Sequence, residues 1–461
     1  MMQLMAELSA VLGDNAVRSG ADIEPRHLRD WAVPSGADEA PLAVAYPRDT
    51  AEVAAVLKLC NARRVPVVAQ GGLTGLTGGA TPVKGCIVLS LERMRHIEEV
   101  DGDAATMTVQ SGVTLQAIQE AAEAAGLFFP LDLGARGSCQ IGGNLSTNAG
   151  GNRVVRFGMC RDLVLGLEVV LADGTIVSEL NKMLKNNAGY DVKQLFVGSE
   201  GTLGVITRAV LRLHPKPVAV CTALCGLDDY DRVRGLLRLA RRRLGGSMSA
   251  FELMSPLFYR LGCGVAGRPA PLAGAHGSYV LLETMGPDAE AEQSRCEQAI
   301  AAAIDEGLVN DAVVAQSSDQ AAGLWAIRDS SGSFNQTFSP HINFDVSIPV
   351  GRIGAFMEEC AKRLTQAWPA MDIVFFGHVA DANLHVTVHL DADPMPVDAI
   401  DRTLYGVVRD WQGSVSAEHG IGLLKRDFLS YSRSPATIDL MRRLKGALDP
   451  NHILNPGKVF R

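Results

Sequence analysis

The stretch from Pro130 to Gly158 reads P-L-D-L-G-A-R-G-S-C-Q-I-G-G-N-L-S-T-N-A-G-G-N-R-V-V-R-F-G and holds few residues able to fill a core. A chain that contains it must present this segment to something other than its own apolar interior. Glycines at 134, 137, 142, 143, 150, 151 and 158 let a backbone approach a ligand closely. Ser138, Ser146, Thr147 and Asn148 add short polar groups suited to a ligand rich in acceptors. Long loops usually carry function, so the expectation is a large, polar, phosphate-bearing cofactor lying along a loop.

Two further glycine-rich segments lie in the same half. A-V-A-Y-P-R-D-T-A-E-V-A-A-V-L-K-L-C-N-A-R-R-V-P-V-V-A-Q reads as strand, Asp49/Thr50 cap, amphipathic helix and strand, and runs into G-G-L-T-G-L-T-G-G at 71–79. A dinucleotide fingerprint would continue into a helix, but Thr81-Pro82 and the β-like C-I-V-L-S-L follow instead. A Walker loop fails for lack of Gly-Lys-Ser/Thr. A glycine-rich turn between strands remains, either a plain turn or a nest of N–H groups for a pyrophosphate. A-T-M-T-V-Q then reads as a strand before a helix that Gly126 ends, and L-V-L-G-L-E-V-V-L-A-D-G-T-I-V as a hairpin turning at Asp173-Gly174. N-A-G-Y-D-V-K-Q-L-F-V-G-S-E-G-T-L-G-V-I-T at 187–207 is the third such segment. Together the three suggest one extended ligand.

At 461 residues the chain is long enough for two or three domains. A net charge of −8 argues against a nucleic-acid partner, which favours a basic face. The N-terminus lacks a cationic start, and the longest apolar run is broken by Glu168, so neither a secretory signal nor a membrane span is expected. Nine scattered cysteines without a C-x-x-C pair fit reduced thiols in the cytoplasm. Cys221 and Cys225 fall in an alternating, strand-like run that favours buried thiols. Residues 1–40 read as helical and then irregular.

His214-Pro215-Lys216-Pro217 reads as a domain boundary, after which glycine density falls. R-V-R-G-L-L-R-L-A-R-R-R-L beyond it reads as an amphipathic helix with a solvated arginine face. D-I-V-F-F-G-H-V-A-D-A-N-L-H-V-T-V-H-L reads as strand, turn, strand, with His378 and His385 able to face each other across the turn. Glu418-His419 adds a carboxylate and a base. Two His and one Glu form a common zinc set with an open position; hydrogen-bonded histidines in a polar cleft are the alternative. Arg328, one turn after Trp325, either clamps a carboxylate or makes a structural ion pair.

In order along the chain, G-G-L-T-G-L-T-G-G, P-L-D-L-G-A-R-G-S-C-Q-I-G-G-N-L-S-T-N-A-G-G, G-Y-D-V-K-Q-L-F-V-G-S-E-G-T-L-G-V-I-T, G-H-V-A-D-A-N-L-H, S-A-E-H-G-I-G and D-P-N-H-I-L-N-P-G-K resemble the FAD-linked D-2-hydroxyacid dehydrogenases of the vanillyl-alcohol oxidase type, closest to the D-2-hydroxyglutarate dehydrogenases. The resemblance runs from about residue 41 to the C-terminus. It implies an α+β fold, with a two-subdomain FAD-binding domain of that type and an α+β substrate (cap) domain built on a mainly antiparallel sheet. The implied boundaries are 1–218 for the FAD domain, 219–415 for the cap and 416–461 for a segment returning to the FAD domain.

By the same resemblance, FAD is lined by Gln70, Gly71, Gly72, Leu73, Thr74, Gly75, Leu76, Pro130, Leu131 and Gly137. Ser138, Gly142, Gly143, Ser146, Thr147, Gly150, Gly201, Gly204, Val205, Ile206 and Asn455 complete that set. No histidine occupies the first loop, where some relatives tether the flavin, so non-covalent FAD is implied. His378, His385 and Glu418 are the implied ligands of a divalent metal, zinc by type. His419 is the proton-abstracting base, and Arg328 binds the substrate carboxylate. The chemistry expected is oxidation of a D-2-hydroxyacid, with hydride passing from C2 to flavin N5. Electron-transfer flavoprotein, a quinone or another carrier is the expected acceptor, and a homodimer the expected assembly.

Three positions depart from the hydroxyglutarate pattern. Asn343 stands where those enzymes place a Lys, Gly332 where they place a Thr, and Thr387 where they place an Asn. Asn343 and Thr387 remain the candidate substrate contacts, but a second substrate carboxylate loses a cationic partner. D-lactate, D-malate or an aromatic D-2-hydroxyacid therefore competes with D-2-hydroxyglutarate. Two alternatives lie outside this class: a zinc hydrolase using the His/His/Glu set alone, and a flavin-binding protein without turnover.

Overall fold

A computed structural model describes residues 2–32, 40–336 and 338–461. Residues 33–39, part of the N-terminal stretch expected to be irregular, lie outside the described residues. The chain divides into two compact units: residues 1–150, 158–216 and 418–461 form the first, and 151–157 with 217–417 form the second. No helix among the described residues is long and apolar enough to cross a membrane.

The first unit holds two sheets. β1 (Val17–Ser19), β2 (Ala43–Ala45), β3 (Val67–Gln70) and β4 (Ile87–Ser90) are ordered β1-β2-β4-β3, with β2 and β3 both parallel to β4. The parallel pairing requires a crossover, and helix Thr50–Arg63 supplies it. Its Asp49 cap accepts the Glu52 N–H at 2.9 Å, and Arg64 ends it in the left-handed region. Val53, Val56, Leu57 and Cys60 of this helix meet Leu4, Leu8 and Leu12 of helix Met2–Leu12 in one apolar core. Ile453 and Leu454 of the tail join that core, and the backbone of Val67 bonds Ile453 and Asn455.

The second sheet of this unit is antiparallel: β5 (Ile97–Asp101), β6 (Thr106–Gln110), β8 (Val164–Val170), β9 (Ile176–Glu179) and β10 (Val205–Arg212), in the order β5-β6-β10-β8-β9. β7 (Leu127–Phe128) and β11 (His214–Pro215) make a two-stranded ribbon. One expectation needs correcting. The 130–158 stretch is not all loop, because Ile141–Thr147 and Val154–Phe157 are short helices. Polar side chains do not prevent a helix there: the Ser146 and Thr147 hydroxyls donate back to the carbonyls of Gly142 and Gly143, at 2.7 and 3.1 Å.

The second unit is built on seven antiparallel strands. They are β12 (Ala219–Leu227), β13 (Met248–Met254), β14 (Ser278–Gly286), β15 (Asp311–Val314), β16 (His341–Ser347), β17 (Asp372–His378) and β18 (Asn383–His389), ordered β15-β12-β14-β13-β17-β18-β16. Every residue of β13 and β14 is buried, as expected of inner strands covered on both faces. One face packs Leu224, Met254, Leu281 and Phe376 against Phe258 and Tyr259 of helix Pro256–Ala266 and Leu324 and Ile327 of helix Ser318–Arg328. Helices Tyr230–Leu244 and Ala289–Asp305 take the other, where Cys221 meets Cys296.

Candidate active site

In the first unit the glycine-rich segments converge through backbone contacts. Gly72 follows β3, and a Cβ there would stand 2.0 Å from the Ser138 carbonyl oxygen, so only glycine lets the 71–79 turn lie on the 138–139 backbone. The Ser111 carbonyl accepts the Gly142 N–H at 2.8 Å, and the Ser146 carbonyl accepts that of Glu200 at 2.8 Å. Asn455 accepts the Ala69 N–H at 3.2 Å and donates to the Glu200 carbonyl at 2.7 Å, tying the tail to β3 and to the turn at Glu200. A Cβ at Gly143, by contrast, would meet nothing within 4 Å. In the same unit Ser111 Oγ, Gln140 Oε1, Asn144 Oδ1 and Ser199 Oγ are buried without a partner. Buried polar atoms are nearly always bonded, so these orphans and the open glycine fit an elongated polar ligand.

The residues expected to line that ligand do not all offer side chains to it. Gln70 is consumed internally, its amide donating to His27 O at 3.0 Å and Ala80 O at 2.8 Å while Oε1 meets the His27 ring. Gly204, Val205 and Ile206 turn into the interior: a Cβ on Gly204 would touch Val169 at 2.6 Å, and Val205 and Ile206 are buried. Pro130, Leu131 and Gly150 are buried as well, and Gln119 bonds the Leu131 carbonyl. Leu73 takes a left-handed φ of 58°, a strained setting for a branched residue. Thr74, Gly75 and Leu76 continue that turn, and Leu76 is exposed. Gly137 and Ser138 are exposed, and Ser138 Oγ donates at 3.5 Å to the Ala135 carbonyl.

The loop bearing His419 is clamped in the same unit. Glu200 Oε1 and Oε2 accept the N–H groups of Ile421 and Gly422 at 2.7 and 2.8 Å, and Thr77 Oγ1 donates to the His419 carbonyl at 3.3 Å. A side chain at Gly422 is barred by the Thr77 carbonyl, 2.2 Å from its Cβ position. Burial pushes the Glu200 carboxyl up, while the two N–H bonds oppose it. Nearby, Lys458 donates to Gly79 O at 2.7 Å and Thr81 O at 2.6 Å, and burial pushes its ammonium down to about 8.

The second unit carries its polar groups on one sheet face. His378 ends β17, and His385 of β18 pairs in register with Phe376 of β17, setting the two imidazoles 5.5 Å apart. Glu252 on β13 lies directly opposite His378. Its Oε1 meets His378 Nδ1 at 2.7 Å, and its Oε2 accepts from Arg328 Nε and Nη2, both at 2.8 Å. Burial pushes the Glu252 carboxyl up, but His378 and Arg328 outweigh it and hold it at about 2. Arg328 also sits over the Phe376 ring.

Asp345, opposite His385, accepts from Asn383 Nδ2 at 2.9 Å, Ser416 Oγ at 3.3 Å and Ala417 N at 3.1 Å. These bonds fix the chain one residue ahead of Glu418. His378 and His385 thus come together within this unit, and Glu418 and His419 follow the Ala417 held by Asp345 directly in the chain. Imidazole with carboxylate suits zinc, and a carboxylate behind each ring is the usual support for a ligating histidine. Asn343 and Thr387 are cross-strand partners whose side chains bond each other at 2.7 Å. Gly332 falls in the 3-10 helix Asp329–Gln336 that follows helix Ser318–Arg328.

Sequence reasoning missed Glu252, Asp345 and Glu200. For Glu252 the available signal was a lone acid inside an otherwise apolar strand, M-S-A-F-E-L-M, since such a charge is almost never buried unpaired.

Residues 41–179 match the family described as FAD binding domain, and 216–459 match FAD linked oxidases, C-terminal domain. The chain is 37% identical over 468 residues to a D-2-hydroxyglutarate dehydrogenase of Stutzerimonas stutzeri, covering 99% of this chain and 98% of that protein. It is 40% identical over 451 residues to one of Xanthomonas citri, covering 95% and 93%. In fold it is similar to a p-cresol methylhydroxylase with substrate bound, at TM-score 0.80 and 18% identity, covering 99% of this chain and 96% of that one.

Proposed function

Because the chain belongs to the FAD-linked oxidases, in a branch with D-2-hydroxyglutarate dehydrogenases, we propose that it oxidises a D-2-hydroxyacid to the 2-oxoacid with non-covalent FAD. The observation that carries this is 37% identity across 99% of the chain to an enzyme of that name. The orphaned polar atoms at Ser111, Gln140, Asn144 and Ser199 and the open space at Gly143 support a bound cofactor in the first unit. FAD, when bound, supplies the hydride acceptor.

The rest falls to this chain's own side chains. Glu252 occupies the Nε–Nη2 edge of Arg328, so a substrate carboxylate is held by the remaining Nη1–Nη2 edge, fixing the orientation of C2. By the resemblance of G-H-V-A-D-A-N-L-H and S-A-E-H-G-I-G to that family, His378, His385 and Glu418 would hold a divalent ion, zinc by donor set, which would supply Lewis acidity toward the hydroxyl. His419 takes the hydroxyl proton as general base, its loop kept rigid by Glu200 and Thr77. The acceptor of the electrons is a carrier such as electron-transfer flavoprotein or a quinone, and the location is cytoplasmic, supported by nine free cysteines.

D-2-hydroxyglutarate is the first substrate to try. The neutral, mutually bonded Asn343–Thr387 pair favours a second reading, in which the substrate's far end is uncharged or small, as in D-lactate or an aromatic D-2-hydroxyacid. Dye-coupled turnover across paired D and L 2-hydroxyacids, with and without chelator, tests both. Activity restricted to D acids and lost on chelation is expected. A colourless protein, or activity indifferent to both configuration and chelator, would point to other chemistry. Replacing His419 by Ala should leave the yellow colour and lower kcat by about 10²–10⁴-fold; unchanged kcat removes it from the mechanism.

A further inference from the structure

We propose that Glu252 is a positioning residue that sets the orientation of the substrate-binding Arg328 and the metal-binding His378 together; the roles of those two partners rest on the function proposed above. The carboxylate divides its oxygens, Oε2 to the guanidinium at 2.8 Å and Oε1 to His378 Nδ1 at 2.7 Å. Glu252 comes from an inner strand and has no exposed surface. A fully buried carboxylate on β13, paired in register with the strand that ends in His378, can move little without breaking the sheet.

Two consequences follow from elementary hydrogen-bond chemistry. An ionised carboxylate only accepts, so His378 must carry its proton on Nδ1 and present the Nε2 lone pair outward, the form a metal ion needs. The Nε–Nη2 edge of Arg328 is filled by the same carboxylate, so a ligand carboxylate is received only on the Nη1–Nη2 edge and in one plane. One side chain thereby links the ion site to the anion site.

A purely structural ion pair is the alternative, and Glu283 supplies the comparison. It lies on the same face of the adjacent strand, buried and held by Ser249 Oγ at 2.7 Å, Trp325 Nε1 at 3.0 Å and Arg153 Nε at 3.3 Å. Its partners include none of the groups assigned to metal or substrate.

The test uses the FAD holoenzyme and the variants Glu252→Gln, Glu252→Asp and Glu283→Gln. Zinc affinity is read by competition with a chromophoric chelator, and flavin content reports folding. In Glu252→Gln an amide N–H turned toward His378 would force its proton onto Nε2, and an amide oxygen there would leave Arg328 facing a donor. Zinc binding weaker by about 10- to 100-fold is expected, with KM rising more than kcat falls. Glu252→Asp should lose less, since the shorter acid still supplies an acceptor to one partner, while Glu283→Gln should bind zinc as the wild type does. If Glu252→Gln loses its flavin, Glu252→Asp is judged by the same zinc criterion. Wild-type zinc affinity in the Glu252 variants, an equal loss in Glu283→Gln, or a wild type that binds no zinc would each overturn the proposal. If zinc binding falls as expected but no D-2-hydroxyacid is oxidised by the wild type, only the functional reading fails.

Discussion

The two units build their polar surfaces from different material. In the first, backbone is the surface: Gly72 lies on the Ser138 carbonyl, the Ser111 carbonyl takes the Gly142 N–H, and Asn455 binds the backbone of β3 and of the turn at Glu200. In the second, side chains meet over a sheet: Glu252 reaches Arg328 and His378, Asp345 reaches Asn383 and Ser416, and Thr387 reaches Asn343. A backbone surface tolerates changes of polarity but not of volume, because an added Cβ has nowhere to go. A side-chain surface on a sheet tolerates modest changes of volume but not the loss of a donor or acceptor.

The contrast is sharpest in the side-chain site. His385→Ala should lower turnover by about 10³-fold or more, since a Lewis acid supplies several kcal/mol of transition-state stabilisation. Its flavin content should match the wild type, as measured by absorbance per chain. Loss of flavin along with activity would mean that the two surfaces do not fail independently.

Gly72→Ala attacks the other kind of surface. With a Cβ 2.0 Å from the Ser138 oxygen, the two segments must part, at a cost of about 1–3 kcal/mol or more in overpacking. The expected result is a lower thermal midpoint and weakened FAD retention on gel filtration, with zinc affinity unchanged. An unchanged midpoint would show that the turn shifts freely.

An effect confined to a narrow pH window concerns Lys458, whose folded value of about 8 lies below the ordinary 10.5. Between those two values the unfolded chain keeps a proton that the folded chain has released, so stability should rise with pH across that window. The contribution is of the order of 3 kcal/mol at most. Denaturant unfolding of Lys458→Met should show a flatter dependence from pH 8 to 10.5 than the wild type; parallel curves would contradict the assignment.

These differences also explain what could be read from the sequence. The glycine clusters at 71–79, 137–143 and 198–204 are contiguous, and their density announces a backbone surface even though it does not reveal which glycines face a ligand and which, like Gly204, face the core. His378 and His385 share one hairpin, so their meeting follows from strand periodicity. Glu252 precedes His378 by 126 positions and reaches it only through the pairing of β13 with β17, which local pattern does not specify. The helix at Ile141–Thr147 was obscured for a different reason: Gly, Ser, Thr and Asn disfavour helix individually, and here tertiary bonds from Val113, Ser111 and Glu200 hold it.

Anaerobic mixing of the FAD- and zinc-loaded protein with the two enantiomers of 2-hydroxyglutarate and of lactate, followed by flavin absorbance, tests the central claim most directly. Rapid bleaching by a D acid, and none by its L partner, is the expected result. A flavin that stays oxidised with every D-2-hydroxyacid offered, or is bleached equally by both enantiomers, would contradict it.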